Sequence, residues 1–183
     1  MKKINTLFKK DPSNLGRVIN EVNENNVWVI NGEAIATRKF DGTSCAIFDG
    51  ELYKRFDLKR GRSLPENAIP CQEADSKSGH HPHWVKCNRE DASDKWHFAA
   101  FDQLAEKADG TYELCGEKIQ KNPEQITGHE LIKHGTEHIE VSDFSFEGIE
   151  TLLATMDIEG IVFHHQTDGR MCKIRKKDFG LKR

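Results

Sequence analysis

The run Arg38-Lys39-Phe40-Asp41-Gly42-Thr43 sets a lysine two residues ahead of an Asp-Gly turn, with an apolar extended segment on each side. A lysine amine is a nucleophile only without its proton, and free lysine is protonated at neutral pH. Burial and neighbouring cations favour the neutral amine. The stretch Cys172-Lys173-Ile174-Arg175-Lys176 offers such cations. Lys173 and Arg175 alternate on one expected strand, so both project to one face and can grip a phosphate together. Glu113, in Tyr112-Glu113-Leu114-Cys115-Gly116, and Glu159, in Ile158-Glu159-Gly160-Ile161-Val162-Phe163, are carboxylates in equally strand-like settings. Each has a plain reading as well. Glutamates alternate outward on half-buried strands, and a basic strand face is often just solvated.

Strands must carry most of these residues. Val27–Ile30 and Glu33–Thr37 read as extended segments around Asn31-Gly32. Cys45–Phe48 is an apolar run closed by Asp49-Gly50, and Leu52–Phe56 runs extended after it. Asn-Gly and Asp-Gly between apolar runs signal hairpins, so Lys39 is expected at a strand end among antiparallel strands. Ser13, followed by Leu15, Val18, Ile19 and Val22, has the spacing of a short helix. Ser93 or Asp94 can cap a helix reaching about Ala108, with Phe98, Phe101, Leu104, Ala105 and Ala108 on one stripe. Further expectations are strands over Thr111–Cys115, His138–Val141, Ile158–His164 and Met171–Arg175, and a helix over Phe146–Ala154. Hairpin strands with a few helices between them indicate an α+β fold. No Gly-rich dinucleotide or phosphate loop is present, so lysines and arginines must hold any phosphate.

Residues 63–90 read as a long irregular excursion punctuated by Pro65, Pro70, Gly79 and Pro82. It holds Cys71, His80, His81, His83 and Cys87, whose spacing fits no common zinc pattern. Histidines facing solvent near a phosphate site are the stronger reading there. The 183 residues suit one domain. No apolar run reaches the length of a membrane span, and Met1-Lys2-Lys3-Ile4-Asn5 lacks the stretch of a signal peptide. Five cysteines without tight pairing suit a reducing compartment, so a cytoplasmic location is expected. The net charge is −3, but two basic clusters stand out. One is Lys54, Arg55, Lys59, Arg60 and Arg62; the other is Arg170, Lys173, Arg175, Lys176, Lys177, Lys182 and Arg183. Such clusters either build a local phosphate-binding surface or remain solvated charge.

In order and rough spacing, Lys39-Phe40-Asp41-Gly42, Lys54-Arg55, Tyr112–Gly116, Ile158–Phe163 and Cys172–Lys176 resemble the motifs of the covalent nucleotidyltransferases: RNA ligases, DNA ligases and mRNA capping enzymes. Pro65–Glu73 and Gly79-His80-His81-Pro82 resemble segments of a small ATP-dependent RNA ligase family of animals, bacteria and viruses, which seals 5′-phosphate to 3′-hydroxyl ends. The resemblance implies a nucleotidyltransferase domain of twisted antiparallel sheets with flanking helices, ATP-grasp-like, using ATP with Mg2+ or Mn2+. It implies Lys39 as the nucleophile that attacks the α-phosphorus and becomes lysyl-AMP. Lys173 and Arg175 are then the cations on that phosphate, Arg38, Asp41 and Gly42 complete the nucleotide site, and Arg55 reaches the ribose or the incoming 5′-phosphate. Glu113 would bind the ribose hydroxyls and Glu159 the metal or the phosphate. Gly42 would let the nucleotide approach closely.

An adenine-stacking side chain is expected between residues 117 and 145, with His129, His134 and Phe144 as candidates. The implied partner is RNA bearing 5′-phosphate and 3′-hydroxyl ends, with no membrane involved. Related ligases carry a further domain, so a single domain over residues 1–183 leaves room for a protein partner that adds RNA contacts. Three rivals stay open. A capping guanylyltransferase uses the same lysine with GTP, a DNA nick ligase uses it on DNA, and a non-catalytic nucleic-acid-binding module keeps only the fold.

Overall fold

A computed structural model describes residues 4–58, 61, 63–74, 79 and 81–183. The elements, in chain order, are β1 (Asn5–Thr6), β2 (Phe8–Asp11), β3 (Asn14–Val22), α1 (Val27–Ile30), β4 (Ala34–Lys39), β5 (Thr43–Phe48), β6 (Glu51–Leu58), β7 (Ile69–Pro70) and β8 (His81–Lys86). They continue with α2 (Lys95–Phe101), β9 (Gly110–Gly116), β10 (His129–Lys133), α3 (Phe146–Thr155), β11 (Gly160–His165), β12 (Met171–Arg175) and α4 (Lys176–Phe179). The class is α+β, mostly sheet with few helices. The chain forms two compact units. Among the described residues the outer unit is 4–40 together with Gly135–Arg183, and the insert unit is Asp41–His134. Among the described residues no helix is long and apolar enough to cross a membrane.

The outer unit is built on a four-stranded sheet in the order β1-β12-β11-β4, with β1 parallel to β12 and the other pairs antiparallel. The two-residue period of its strands divides the side chains between two faces. Ala36, Ile161, Phe163, Cys172 and Ile174 belong to the core, which they share with Leu7, Phe8, Trp28, Val29, Ile149 and Leu153. Ile149 and Leu153 come from α3, whose first turn is capped by Ser145 Oγ accepting from Gly148 N at 3.0 Å. Thr37, Lys39, Val162, Lys173 and Arg175 lie on the opposite face.

The insert unit is a six-stranded antiparallel sheet in the order β10-β9-β5-β6-β8-β7. One face carries Cys45, Ile47, Leu52, Tyr112, Leu114 and Leu131, which form a core with Ala100 and Phe101 of α2. The other face carries Ser44, Ala46, Tyr53, Arg55, Trp84, Thr111 and Glu113. A tight loop follows β9, with Gln120, Lys121 and Asn122 all in the left-handed region. The Asn122 side chain holds it, donating to Ile126 O and accepting from Ile126 N, each at 3.0 Å.

Several segments depart from the sequence expectation for local reasons. Ser13–Val22 is not helical: Asn14–Val22 is a strand paired with β2. Asp11 Oδ1 accepts from Ser13 N at 2.8 Å and turns the chain, and Gly16 and the β-branched residues disfavour a helix. Val27–Ile30 is one helical turn rather than a strand. Asn23 accepts from Asn25 N at 3.2 Å ahead of it, and the Trp28 indole donates to Asn25 O at 3.0 Å. α2 stops at Phe101, although Leu104 still packs on the core without helical backbone. The excursion over 63–90 contains β7 and β8, with Pro82, His83 and Trp84 buried. β10 had no counterpart in the sequence reading. His138–Val141 reduces to an isolated bridge between Thr37 and His138.

Candidate active site

Lys39 is the last residue of β4, as its position before Asp41-Gly42 suggests. Across the outer sheet Lys39 pairs with Gly160, and Gly160 pairs with Arg175. Val162, two residues along β11, pairs with Thr37 on one side and Lys173 on the other. Lys39, Lys173 and Arg175 therefore share one face. The middle position of their row must be glycine. A Cβ on Gly160 would lie 2.2 Å from Ile174 O and 2.7 Å from Arg175 Cα. Glu159, just before β11, has its backbone oxygen held by Lys176 N at 2.9 Å. Its carboxylate contacts Lys39 Nζ, which also donates to Phe40 O at 3.3 Å.

The electrostatics of this face centre on Lys173. Burial, then the charges of Arg175 and Lys39, push its pKa down to about 8, with Glu159 and Asp178 opposing the shift. Three cations on one half-buried face repel one another, and a polyphosphate is the kind of ligand that relieves this.

Arg175 is on the face expected for it, but its guanidinium is engaged. Nε and Nη2 donate to the two oxygens of Asp178 at 3.0 and 2.9 Å, and Arg175 N donates to Asp178 Oδ2 at 2.9 Å. Lys10 Nζ adds a fourth contact at 2.6 Å. Burial of Asp178 raises its pKa, but the hydrogen bonds from Arg175 and Lys10 outweigh it and bring the carboxyl below its usual range. Asp178 thus orients Arg175, a role the sequence reading missed. The signal was an acidic residue at the third position of a helix, three after Arg175, which is capping-box spacing. Arg38, on the core-facing alternation of β4, pairs with Glu137 at 3.1 Å and lies over the Phe40 ring.

In the insert unit, Glu113 is buried and doubly held. Oε1 accepts from Gly42 N at 3.1 Å, and Oε2 meets His134 Nε2 at 2.9 Å. The other His134 nitrogen meets Thr111 Oγ1 at 2.9 Å. Asp41 N donates to Glu124 Oε1 at 2.8 Å. Arg55 is two residues from Tyr53, whose partner Ala46 is two from Ser44, the partner of Glu113. Arg55 and Glu113 therefore share the face away from α2. Arg55 Nε donates to Asp57 at 3.0 Å. Gly42 has a physical reason other than nucleotide approach: a Cβ there would meet Leu114 O at 2.2 Å and Cys115 Sγ at 2.8 Å.

Several described members of the two basic clusters are drawn apart or into ion pairs, while Lys173 and Arg175 keep a shared face. Lys54 points to the core side of its sheet and contacts buried Asp94, while Arg55 points to the other face. Arg170 pairs with Asp168, Arg175 with Asp178, and Arg183 with Asp157. Lys59, Arg60, Arg62 and His80 lie outside the described residues. Of the stacking candidates, His129 is itself stacked on Trp96 with ring centroids 4.4 Å apart, and Phe144 packs in the outer core near Phe163. His134 is beside Glu113, edge-on through both nitrogens. In the His/Cys loop, His83 is buried and bonded to His81 O at 2.9 Å, and Cys87 lies in the core. No family model matches the chain, and no curated protein matches it.

Proposed function

We propose that the protein is an ATP-dependent RNA ligase that works through a covalent lysyl-AMP. The observation that carries this reading is the row Lys39–Gly160–Arg175, with Lys173 on the same face and Glu159 against Lys39. A lysine at a strand end, flanked by two cations and a carboxylate, has what phosphoryl transfer asks of a protein: positioning and charge neutralisation. Lys39 Nζ gives its proton to solvent and attacks the α-phosphorus of ATP. The new N–P bond forms as the bond to the bridging oxygen breaks, and pyrophosphate leaves. Lys173 meets the charge that grows on the α-phosphate, and Arg175, held by Asp178, presents the remaining edge of its guanidinium.

A carboxylate beside phosphate-binding cations fits Mg2+ or Mn2+, which take one or two carboxylates and complete their shells with phosphate and water. Glu159 would hold the ion, and the ion's positive charge would offset that of the polyphosphate. Binding of the nucleotide by Asp41, Gly42, Arg55 and Glu113 is proposed from their motif order. In support, the Glu113 carboxylate is held in one orientation by Gly42 N and His134. AMP then moves to an RNA 5′-phosphate, forming a pyrophosphate link. A 3′-hydroxyl attacks that phosphate and AMP departs, which suits repair of broken RNA in a cytoplasm. The test is sealing of matched substrates. RNA with a 5′-phosphate should be joined and RNA with a 5′-hydroxyl should not. Sealing of DNA alone, or transfer from GTP alone, would replace this reading with the nick-ligase or capping alternative.

A further inference from the structure

The core side of the insert sheet carries a group that nucleotidyl transfer does not use. Cys87 directly follows β8, Asp94 ends a single 3-10 turn, and His97 lies three residues on, in α2. All three are buried, and Cys87 Sγ, an Asp94 oxygen and a His97 nitrogen lie within 4.8 Å of one another. His97 Nδ1 is 3.8 Å from Asp94 Oδ1, and among the described residues neither His97 nitrogen has a hydrogen-bond partner. An imidazole with both nitrogens unpaired at this depth is costly unless something else satisfies one of them.

We propose that Cys87, Asp94 and His97 form a divalent transition-metal site, with zinc as the ion this ligand set favours. Thiolate, imidazole and carboxylate are the zinc donors, and the sulfur disfavours magnesium. The connection between the ligands is fixed before any ion arrives. Asn88 N donates to Asp94 Oδ2 at 2.9 Å, and Asp91 caps the 3-10 turn through Ser93 N at 2.8 Å. The competitor is Lys54, whose amine contacts Asp94 Oδ1. It neutralises the carboxylate, and its positive charge is also felt at Cys87 and His97. Binding turns it toward Ser93 Oγ and the Asp91 carboxylate, already 3.3 and 3.9 Å from its nitrogen. The Cys87 thiol, which burial pushes up to about 12, releases its proton to solvent as the metal–sulfur bond forms. Water completes the shell. The ion would clamp the start of α2 to the end of β8.

Cobalt(II) reports such a site, because a thiolate ligand adds a charge-transfer band in the near ultraviolet. Chelator-treated, reduced full-length protein titrated with cobalt should develop that band, and zinc should displace it. Cys71→Ser, which removes the half-exposed thiol, should leave the band intact. Cys87→Ser should remove it, and His97→Ala should weaken binding by about tenfold or more. Lys54→Met, which removes the competing ammonium, should tighten the titration, and a purely structural role for the trio produces no such effect. This last variant decides the matter if Cys87→Ser does not fold. No band in the wild type, a band that follows Cys71 instead of Cys87, or weaker binding in Lys54→Met would overturn the proposal.

Discussion

Replacing Lys173 with methionine keeps the unbranched shape and removes the charge. The structure fixes what that charge costs. An ordinary lysine titrates at 10.5 and Lys173 at about 8, and at roughly 1.4 kcal/mol per tenfold change in proton affinity this is about 3 kcal/mol. Lys173 is only half-buried, so about 2 kcal/mol is the figure to test. Lys173→Met should therefore be more stable than the wild type at pH 7. The gain has a defined pH window. Between pH 8 and 10.5 the folded amine is neutral and the unfolded one charged, so wild-type stability rises with pH across that range. The advantage of the variant should be full below pH 8 and vanish near 10.5. The same variant should lose about two to three orders of magnitude in the rate of covalent labelling by ATP, as when an electrostatic stabiliser is removed. Urea unfolding at several pH values and a labelling time course measure the two halves. A variant that is less stable at pH 7, or labels at the wild-type rate, would refute the reasoning.

Asp178→Asn leaves Arg175 and Lys10 without their shared carboxylate and should cost about 3 kcal/mol by chemical denaturation. Because the Asp178 pKa is depressed, its contribution is present above the ordinary value of 3.8 and lost as pH falls through the lower folded value, so the wild-type acid limb should flatten in this variant. Gly42→Ala drives a methyl into Leu114 O and should destabilise the insert unit by about 1–3 kcal/mol, read as a lowered melting temperature. RNA binding should show a shallow salt dependence, with a slope of about −0.7 per phosphate contact on a log-log plot. Lys54, Arg170, Arg175 and Arg183 of the two basic clusters are already paired within the protein, which withdraws these four from RNA. A steep slope in filter binding would count against this.

The residues on the outer sheet face were legible because strand alternation is local: once Met171–Arg175 and Ile158–His164 read as strands, the shared face of Lys173 and Arg175 follows. Lys39 at a strand end followed from the turn after it. What the sequence hid depends on pairing over distance. Lys54 and Arg55 are neighbours in the chain, yet alternation sends Lys54 to a buried aspartate forty residues on. Gly42 and Gly160 are glycines because neighbouring strands crowd them, which no local pattern reveals. His134 resembled a stacking residue by type, and its bonds to Glu113 and Thr111 emerge only from the pairing of β9 with β10. Ser13–Val22 misled because its apolar spacing is helical while its turn and its glycine are those of a hairpin.

The central claim is that Lys39 carries the nucleotide. Incubation with α-labelled ATP and magnesium, proteolysis at neutral pH and mass mapping of the adduct test it directly, since a phosphoramidate is lost in acid. The account predicts one AMP-bearing peptide that contains Lys39 and disappears in Lys39→Ala. Absence of covalent label in the wild type, or AMP on the depressed amine of Lys173 in place of Lys39, would contradict it.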